Sequence, residues 1–448
     1  MDEEKRKKIA IILPEARIHK LSVGPFQKSF REAPLTATAL AALVPEELNY
    51  DITIVDENIQ PIPFHQTFDL VAISLITGTA YRAYEIAAIF KEKGARIVLG
   101  GVHVTLLPNE ASKHADAIVI GFAEKSWPEL LFDFDKGILK PIYKDLQQHF
   151  ENVPLPKREL QKNNAYMIPN VVSATRGCKN TCDFCAVPAA GFGWQTRPIG
   201  EVISEIRSIP SRKIVFNDVS MGEDIVYFKQ LLRELIPLQK TWGGLVSTKV
   251  FKDKDVLDLL KKSGCAYLLI GFESLNNLSL QRINKGFNKL EEYISIIEQL
   301  RTIDVVLMGC FIFGFDEDNK HVFEETVHFV NEHQVNIPRY AIYTPYPGTE
   351  SYNRLQSEGR ILHDNWRYYD TQHVVFQPKL MSPEELDRGF KWAYNETFTL
   401  ASSFKRTISS GKNFLLTFGG NLAYRIYLKR LFSDHDRIYK ALVGKDRK

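Results

Sequence analysis

The run Arg176-Gly-Cys-Lys-Asn-Thr-Cys-Asp-Phe-Cys185 places three thiols, Cys178, Cys182 and Cys185, in the pattern Cys-x3-Cys-x2-Cys. A cubane of four irons ordinarily takes four cysteine ligands. Three thiols from one loop leave one iron open to a substrate or cofactor, and an open iron in a reducing cluster is a reactive centre. The run therefore points to an enzyme. A structural zinc site is the rival, but such sites close with a fourth Cys or His nearby. The histidines that flank the run in sequence are the distant His149 and His321. Cys265 and Cys310 stand in apolar, strand-like runs and read as small buried hydrophobes. An odd total of five cysteines with no secretory leader argues against a disulfide framework.

Working outward from this loop, a chain of 448 residues is too long for one ordinary core and predicts two or three domains. Before the loop, residues 1–138 alternate strand-like runs (Lys8–Leu13, Asp51–Asp56, Leu70–Leu75, Arg96–Gly101, Ala117–Gly121) with helical ones such as Ala80–Lys93. That order predicts an α/β doubly wound parallel sheet of the Rossmann type, with any ligand at the carboxyl ends of its strands. Residues 139–168, rich in Lys, Gln, Asn and Pro, read as a linker. Residues 169–350 hold six strand–helix repeats, beginning with Val171–Thr175 and continuing at Lys213–Asn217, Gly243–Ser247, Ala266–Gly271, Val305–Phe313 and Arg339–Tyr343. Chemistry on such repeats sits at the carboxyl ends of the strands. Residues 351–448 read as mostly helical, and the aromatic stretch Trp366–Phe376 as a lid over the barrel mouth.

A net charge of +3 gives no electrostatic case for nucleic acid. No long apolar leader and no stretch of spanning length is seen, so the expected compartment is a reducing cytoplasm.

With Phe184 just before its last cysteine, the loop resembles the signature of the radical S-adenosylmethionine (SAM) superfamily, whose members carry it after the first strand of a partial (β/α)6 barrel of TIM type. The resemblance implies a 4Fe-4S cluster on Cys178, Cys182 and Cys185, whose open iron is chelated by the amino and carboxylate groups of S-adenosyl-L-methionine. One electron, from a donor such as flavodoxin or ferredoxin, then yields methionine and a 5′-deoxyadenosyl radical. It further implies that Phe184 lies near the adenine and that Asp218 accepts a hydrogen bond from the SAM amino group. Ser247 would reach the carboxylate or ribose, Glu273 and Ser274 the ribose or methionine, and the Gly309–Gly314 strand would lie against the adenine. The rival for each polar strand end is a cap or turn, and for each glycine tight packing.

The N-terminal order resembles the cobalamin-binding domain that precedes the barrel in one branch of this superfamily. By that resemblance, Asp56, Ser74, Leu75, Gly100, Gly101 and Gly121 are the cobalamin contacts. The match departs at Asp56-Glu-Asn-Ile-Gln-Pro61, where the family's Asp-x-His-x-x-Gly loop would supply a histidine to cobalt. His103 and His65 are the alternative cobalt ligands, each weighed against an ordinary loop histidine, which is the reading taken. An empty structural cap is the rival.

The function expected is cobalamin-dependent methyl transfer to an unactivated carbon of a small-molecule or lipid substrate. Cyclisation, oxidation or rearrangement without methyl transfer stays open, as does, further off, a non-catalytic corrinoid or iron–sulfur protein. Between Thr397 and Ser433 there is no acidic residue, while Lys405, Arg406, Lys412, Arg425, Lys429 and Arg430 stand among Phe, Leu, Ile and Tyr. Such a segment can make peripheral membrane contact. The reading taken is a helix pair packed on the barrel with its basic residues outward.

Overall fold

A computed structural model describes residues 6–16, 29–147 and 150–443; Met1–Lys5, His149 and residues 444–448 lie outside them. Continuous apolar runs make strands that can be covered on both faces, the habit of parallel sheets. Ile9, Ala10, Ile11 and Ile12 of strand Lys8–Leu13 are all fully buried. The N-terminal sheet runs, in space, Asp51–Asp56, Lys8–Leu13, Leu70–Ser74, Arg96–Gly100, Ala117–Gly121, Ile142–Asp145, all parallel. The order reverses between Lys8–Leu13 and Leu70–Ser74, which is the switch point of this doubly wound sheet.

The expected linker is not structureless: it contributes two strands, both paired with N-terminal residues. Ile142–Asp145 is the sixth strand of the N-terminal sheet, and Tyr166–Ile168 pairs with Ser29–Glu32 in a small second sheet. Polar composition hid the first of these because an edge strand buries little; Tyr143 is its buried residue.

The second large sheet is also six-stranded and parallel: Val171–Val172, Lys213–Phe216, Thr241–Val246, Cys265–Glu273, Val306–Phe313 and Ile337–Ile342, in chain order across an open partial barrel. Helices pack outside it on apolar stripes. Val202, Ile203 and Ile206 are the buried side of Ile199–Ser208, and Phe228, Leu231, Leu232 and Leu235 that of Ile225–Leu235. Asp224 caps the latter helix, accepting from the amides of Val226 and Tyr227. The hairpin Thr175–Arg176 with Gln195–Thr196 carries the cysteine loop between its arms.

The aromatic stretch 366–376 is no lid over solvent. Trp366, Tyr368, Tyr369 and Val375 enter the N-terminal core, while Val374 and Phe376 enter the barrel core, so the stretch straps the two domains together. Glu110 anchors the strap. Its carboxylate accepts from Trp366 Nε1 at 3.0 Å and from Tyr84 OH at 2.9 Å, and lies 3.3 Å from His103 Nε2. Burial disfavours the Glu110 charge, yet His103, Trp366 and Tyr84 hold its carboxyl down at about 2.

Beyond the strap, Pro383–Thr397 begins with a serine cap: Ser382 and Glu385 form a reciprocal capping box. Two further helices follow, Leu400–Ile408 and Phe414–Val443. Here the reading of basic residues outward is corrected at Arg406, which is fully buried, while several leucines and phenylalanines face solvent.

Candidate active site

The cysteine loop is gripped from several elements. Asp183 N donates to Ile283 O at 3.2 Å, Asn284 Nδ2 to Thr181 O at 3.2 Å, Ser351 N to Asp183 O at 3.1 Å, and Tyr343 OH to Asp183 Oδ2 at 3.3 Å. Burial lifts the Asp183 carboxyl to about 6, against the pull of Arg354 and Tyr343. Gly177 stands at φ +68°, and a Cβ there would lie 2.1 Å from Gly193 O. Only glycine allows the hairpin to close at that point.

Within the loop, Asn180 donates to Cys178 Sγ from its backbone N (3.4 Å) and its Nδ2 (3.3 Å). Its Nδ2 also donates to Glu223 Oε1 at 2.9 Å, which in turn accepts from Ser220 Oγ at 2.7 Å. Lys249 Nζ donates to Asn180 Oδ1 and lies 3.5 Å from Glu223 Oε2. Loops after the second and third barrel strands thus reach the first thiol. Asn180 and Glu223 were missed from sequence; their only signal was position, inside the loop and just past a strand end.

Burial pushes the Cys182 thiol up to about 12, with Lys285 opposing, and raises Cys185 as well. Ligation of iron would therefore release protons. Lys285 forms an ion pair with Glu273, and both are mostly buried. Burial works against the Lys285 ammonium, but Glu273 and Cys182 beside it hold its pKa above the ordinary lysine value. Glu273 has φ +67°, at an irregularity in the pairing of strand Cys265–Glu273 with its neighbour. Asn288 Nδ2 secures this bend by donating to Gly271 O (2.8 Å) and Phe272 O (3.1 Å), as does Tyr293 OH to Phe272 O (2.7 Å). A Cβ on Gly271 would lie 2.1 Å from Glu273 Oε1, so the glycine makes room for the pair.

The other expected SAM contacts divide. Ser247 Oγ is buried at the end of the third strand and has no hydrogen-bond partner among the described residues, as fits a hydroxyl waiting for a ligand. Phe184 meets Tyr343 edge-on at 6.2 Å, beside the last thiol. Asp218 is turned to structural use. Its buried carboxylate accepts from Ala174 N at 3.0 Å, from Thr175 N, and from Thr175 Oγ1 at 2.6 Å, and burial lifts its pKa to about 6. Ser274 Oγ accepts from Asn276 N at 3.0 Å, a turn contact. Gly309 faces Val335 and Phe272, and Gly314, at φ +104°, faces Leu386 and Phe376. Both glycines serve side-chain packing there.

On the N-terminal sheet, Asp56 accepts from Asn58 N at 2.9 Å and from Tyr166 OH at 2.7 Å, which fixes a turn and the connecting segment. Leu75 is buried in the core. Gly101 stands at φ +104° with Leu75 O 2.5 Å from where a Cβ would be, and Gly121 at φ +87° with Asp145 O at 2.0 Å. These glycines answer to neighbouring backbone. Gly100 pairs with Ser74 across two strands. Ile76, half exposed just past Ser74, is an apolar side chain that faces solvent beside this switch point. His103 sits in a helix, fully buried between Thr77 and Glu110, and is not a loop histidine; His65 is exposed in a turn. Both ring nitrogens of His103 are thus engaged, by Thr77 and Glu110.

The carboxyl ends of the two sheets meet at the cysteine loop. Helix Val102–Leu106, after Gly101, touches helix Ala186–Ala189, after Cys185. Gly348, in the loop after the last barrel strand, packs on Leu106. Phe122 and Phe192 pack as a tilted pair with ring centroids 5.0 Å apart, and Arg176 lies 3.9 Å over the Phe150 ring while pairing with Glu124.

Among the described residues no three or more His, Cys, Asp or Glu side chains are gathered as for a single metal ion. The loop offers three thiols, the soft donors that iron–sulfur clusters take. A Rossmann-type parallel sheet, a second parallel sheet of partial-barrel type and a three-thiol loop where their carboxyl ends meet define the class of fold. The radical SAM superfamily model matches residues 172–330. Bacteriochlorophyllide d C-12(1)-methyltransferase of Chlorobaculum tepidum is 30% identical over 422 residues, covering 90% of each chain. The C-8(2)-methyltransferase of the same organism is 29% identical over 425 residues, covering 90% of this chain and 93% of the relative. The structure of the radical SAM methyltransferase TsrM from Kitasatospora setae, with cobalamin and a 4Fe-4S cluster bound, aligns with a TM-score of 0.65 at 14% identity, over 95% of this chain and 100% of that one. The chain belongs to the radical SAM superfamily.

Proposed function

We propose that this protein is a cobalamin-dependent radical SAM methyltransferase acting on an unactivated carbon of a large, apolar small molecule of tetrapyrrole type. The observation that carries the reading is the meeting of the two sheets' carboxyl ends at the cysteine loop, which sets the N-terminal sheet against the three thiols. The substrate class rests on the two relatives aligned over 90% of this chain, both named for bacteriochlorophyllide.

When bound, the cluster supplies an electron and a coordination site for SAM, and the corrinoid supplies a methyl carrier. The chain's own part is positioning. Cys178, Cys182 and Cys185 hold the cluster, and Asn180 donates to the Cys178 sulfur from two nitrogens. Ser247 offers its unpaired hydroxyl, Lys285 its buried ammonium, and Phe184 a ring beside the last thiol. The interdomain strap fixes the two sheets relative to each other, and a flavodoxin or ferredoxin supplies the electron.

The test is product analysis of anaerobically reconstituted enzyme given cobalamin, reductant, SAM and a bacteriochlorophyllide. The reading expects both S-adenosylhomocysteine and 5′-deoxyadenosine. A second reading, ring formation, is favoured by a 26% identical relative named as an anaerobic magnesium-protoporphyrin IX monomethyl ester cyclase. It expects 5′-deoxyadenosine without S-adenosylhomocysteine, and that outcome would displace the first.

A further inference from the structure

We infer that the two C-terminal helices form a docking face for an anionic lipid surface. Their sidedness is the reverse of a soluble protein's. Helix Leu400–Ile408 turns Ser403, Arg406 and Thr407 inward. It shows solvent Leu400 (66% exposed), Phe404 (53%) and Ile408 (61%), spaced as one stripe along the helix. In helix Phe414–Val443, Thr417 and Asn421 are buried, while Leu415 (82% exposed), Phe418, Leu422 and Ile426 face out. Exposed apolar stripes of this kind on a folded chain mark an interaction surface.

The orientation is fixed by hydrogen bonds. The Arg406 guanidinium donates to Asn331 Oδ1 (2.9 Å), Thr397 O (2.8 Å) and Asn421 Oδ1 (2.8 Å), and Asn421 Nδ2 donates to Asn336 O (2.9 Å). Rolling the helices to hide their leucines would strand a buried cation. Arg425, further along, is likewise held, donating to Phe398 O.

Charge selects the occupant. No acidic residue occurs between Thr397 and Ser433, and Lys405, Lys412 and Lys429 are exposed around the stripes. Lys412 lies 3.7 Å from Asp304 at the edge of the face but stays largely in solvent. Apolar side chains with a cationic rim suit insertion at the headgroup boundary of an anionic bilayer. A second copy would bring lysine rim against lysine rim. No helix among the described residues is long and apolar enough to cross a membrane, so the contact would lie on the surface.

The test is flotation of the full-length protein with phosphatidylglycerol vesicles and with phosphatidylcholine vesicles. Partition to the anionic vesicles is expected, weakening by about ten-fold or more in high salt or with Lys405→Glu/Lys412→Glu. A similar loss is expected for Phe404→Glu/Leu415→Glu; these residues face solvent, and unchanged circular dichroism would show that the fold is kept. Absence of flotation with anionic vesicles at low salt would overturn the inference. So would a concentration-dependent dimer, seen by sedimentation, that the Phe404→Glu/Leu415→Glu variant abolishes, because it would give the face to a second copy.

Discussion

Glu273 stands at φ +67°, a conformation that strains any residue with a Cβ, and its carboxylate meets Lys285 close to Cys182. The two charges are mostly out of water, so removing one leaves the other unpaired. Glu273→Gln or Lys285→Met alone should therefore cost about 3–5 kcal/mol in denaturant unfolding, and the double variant less than the sum. Additive losses would show that the pair is not coupled. Cys182→Ala should leave reconstituted protein with little bound iron and no SAM cleavage; retained turnover would contradict the ligand assignment. The three thiols were legible because their spacing is itself the chemistry. Lys285 was not, because nothing in a sequence says that a loop lysine returns to a glutamate twelve positions earlier. Asp218 and the glycines Gly309 and Gly314 stood at the strand ends where ligands bind, but burial and packing had already engaged them.

Regular elements were read well where apolar period and length agreed. Lys8–Leu13, Asp51–Asp56 and Ala117–Gly121 lie where the alternation placed them. The edge strand Ile142–Asp145 carried too little apolar signal to stand out. At this scale Gly101 separates packing from ligand binding. Gly101→Ala would drive a Cβ against Leu75 O at positive φ, and should cost about 1–3 kcal/mol of stability with no corrinoid present. Unchanged melting of the corrinoid-free protein would return the glycine to a ligand role. The turn after strand Val306–Phe313 makes a pH prediction. Asp318 accepts from Gly314 N (2.9 Å) and Phe315 N (3.0 Å), yet burial lifts its carboxyl from 3.8 to about 7. A carboxyl raised on folding takes up a proton as the chain folds. Its contribution is full below about pH 4 and is lost as pH rises through about 7. Across that window the wild-type melting temperature should fall relative to Asp318→Asn, whose amide still accepts from both backbone groups. Parallel profiles would contradict the assignment.

At the scale of the whole molecule, two parallel sheets present their carboxyl ends to one cysteine loop, and the stretch 366–376 buries aromatic side chains in both cores to hold that arrangement. The aromatic richness of the stretch was visible in the sequence. That it would become an interdomain strap was not, because its partners, Glu110 and His103, lie more than two hundred residues away. The C-terminal helices teach the same lesson in reverse: their composition was plain, but which side faced out was decided by Arg406 finding its acceptors inside. The central claim is an iron left open by three thiols, and electron paramagnetic resonance of the reduced, reconstituted protein reads it directly. Adding SAM should shift the cluster's signal as SAM coordinates the free iron. A signal that SAM leaves unchanged, or a preparation holding zinc and no inorganic sulfide, would contradict the account.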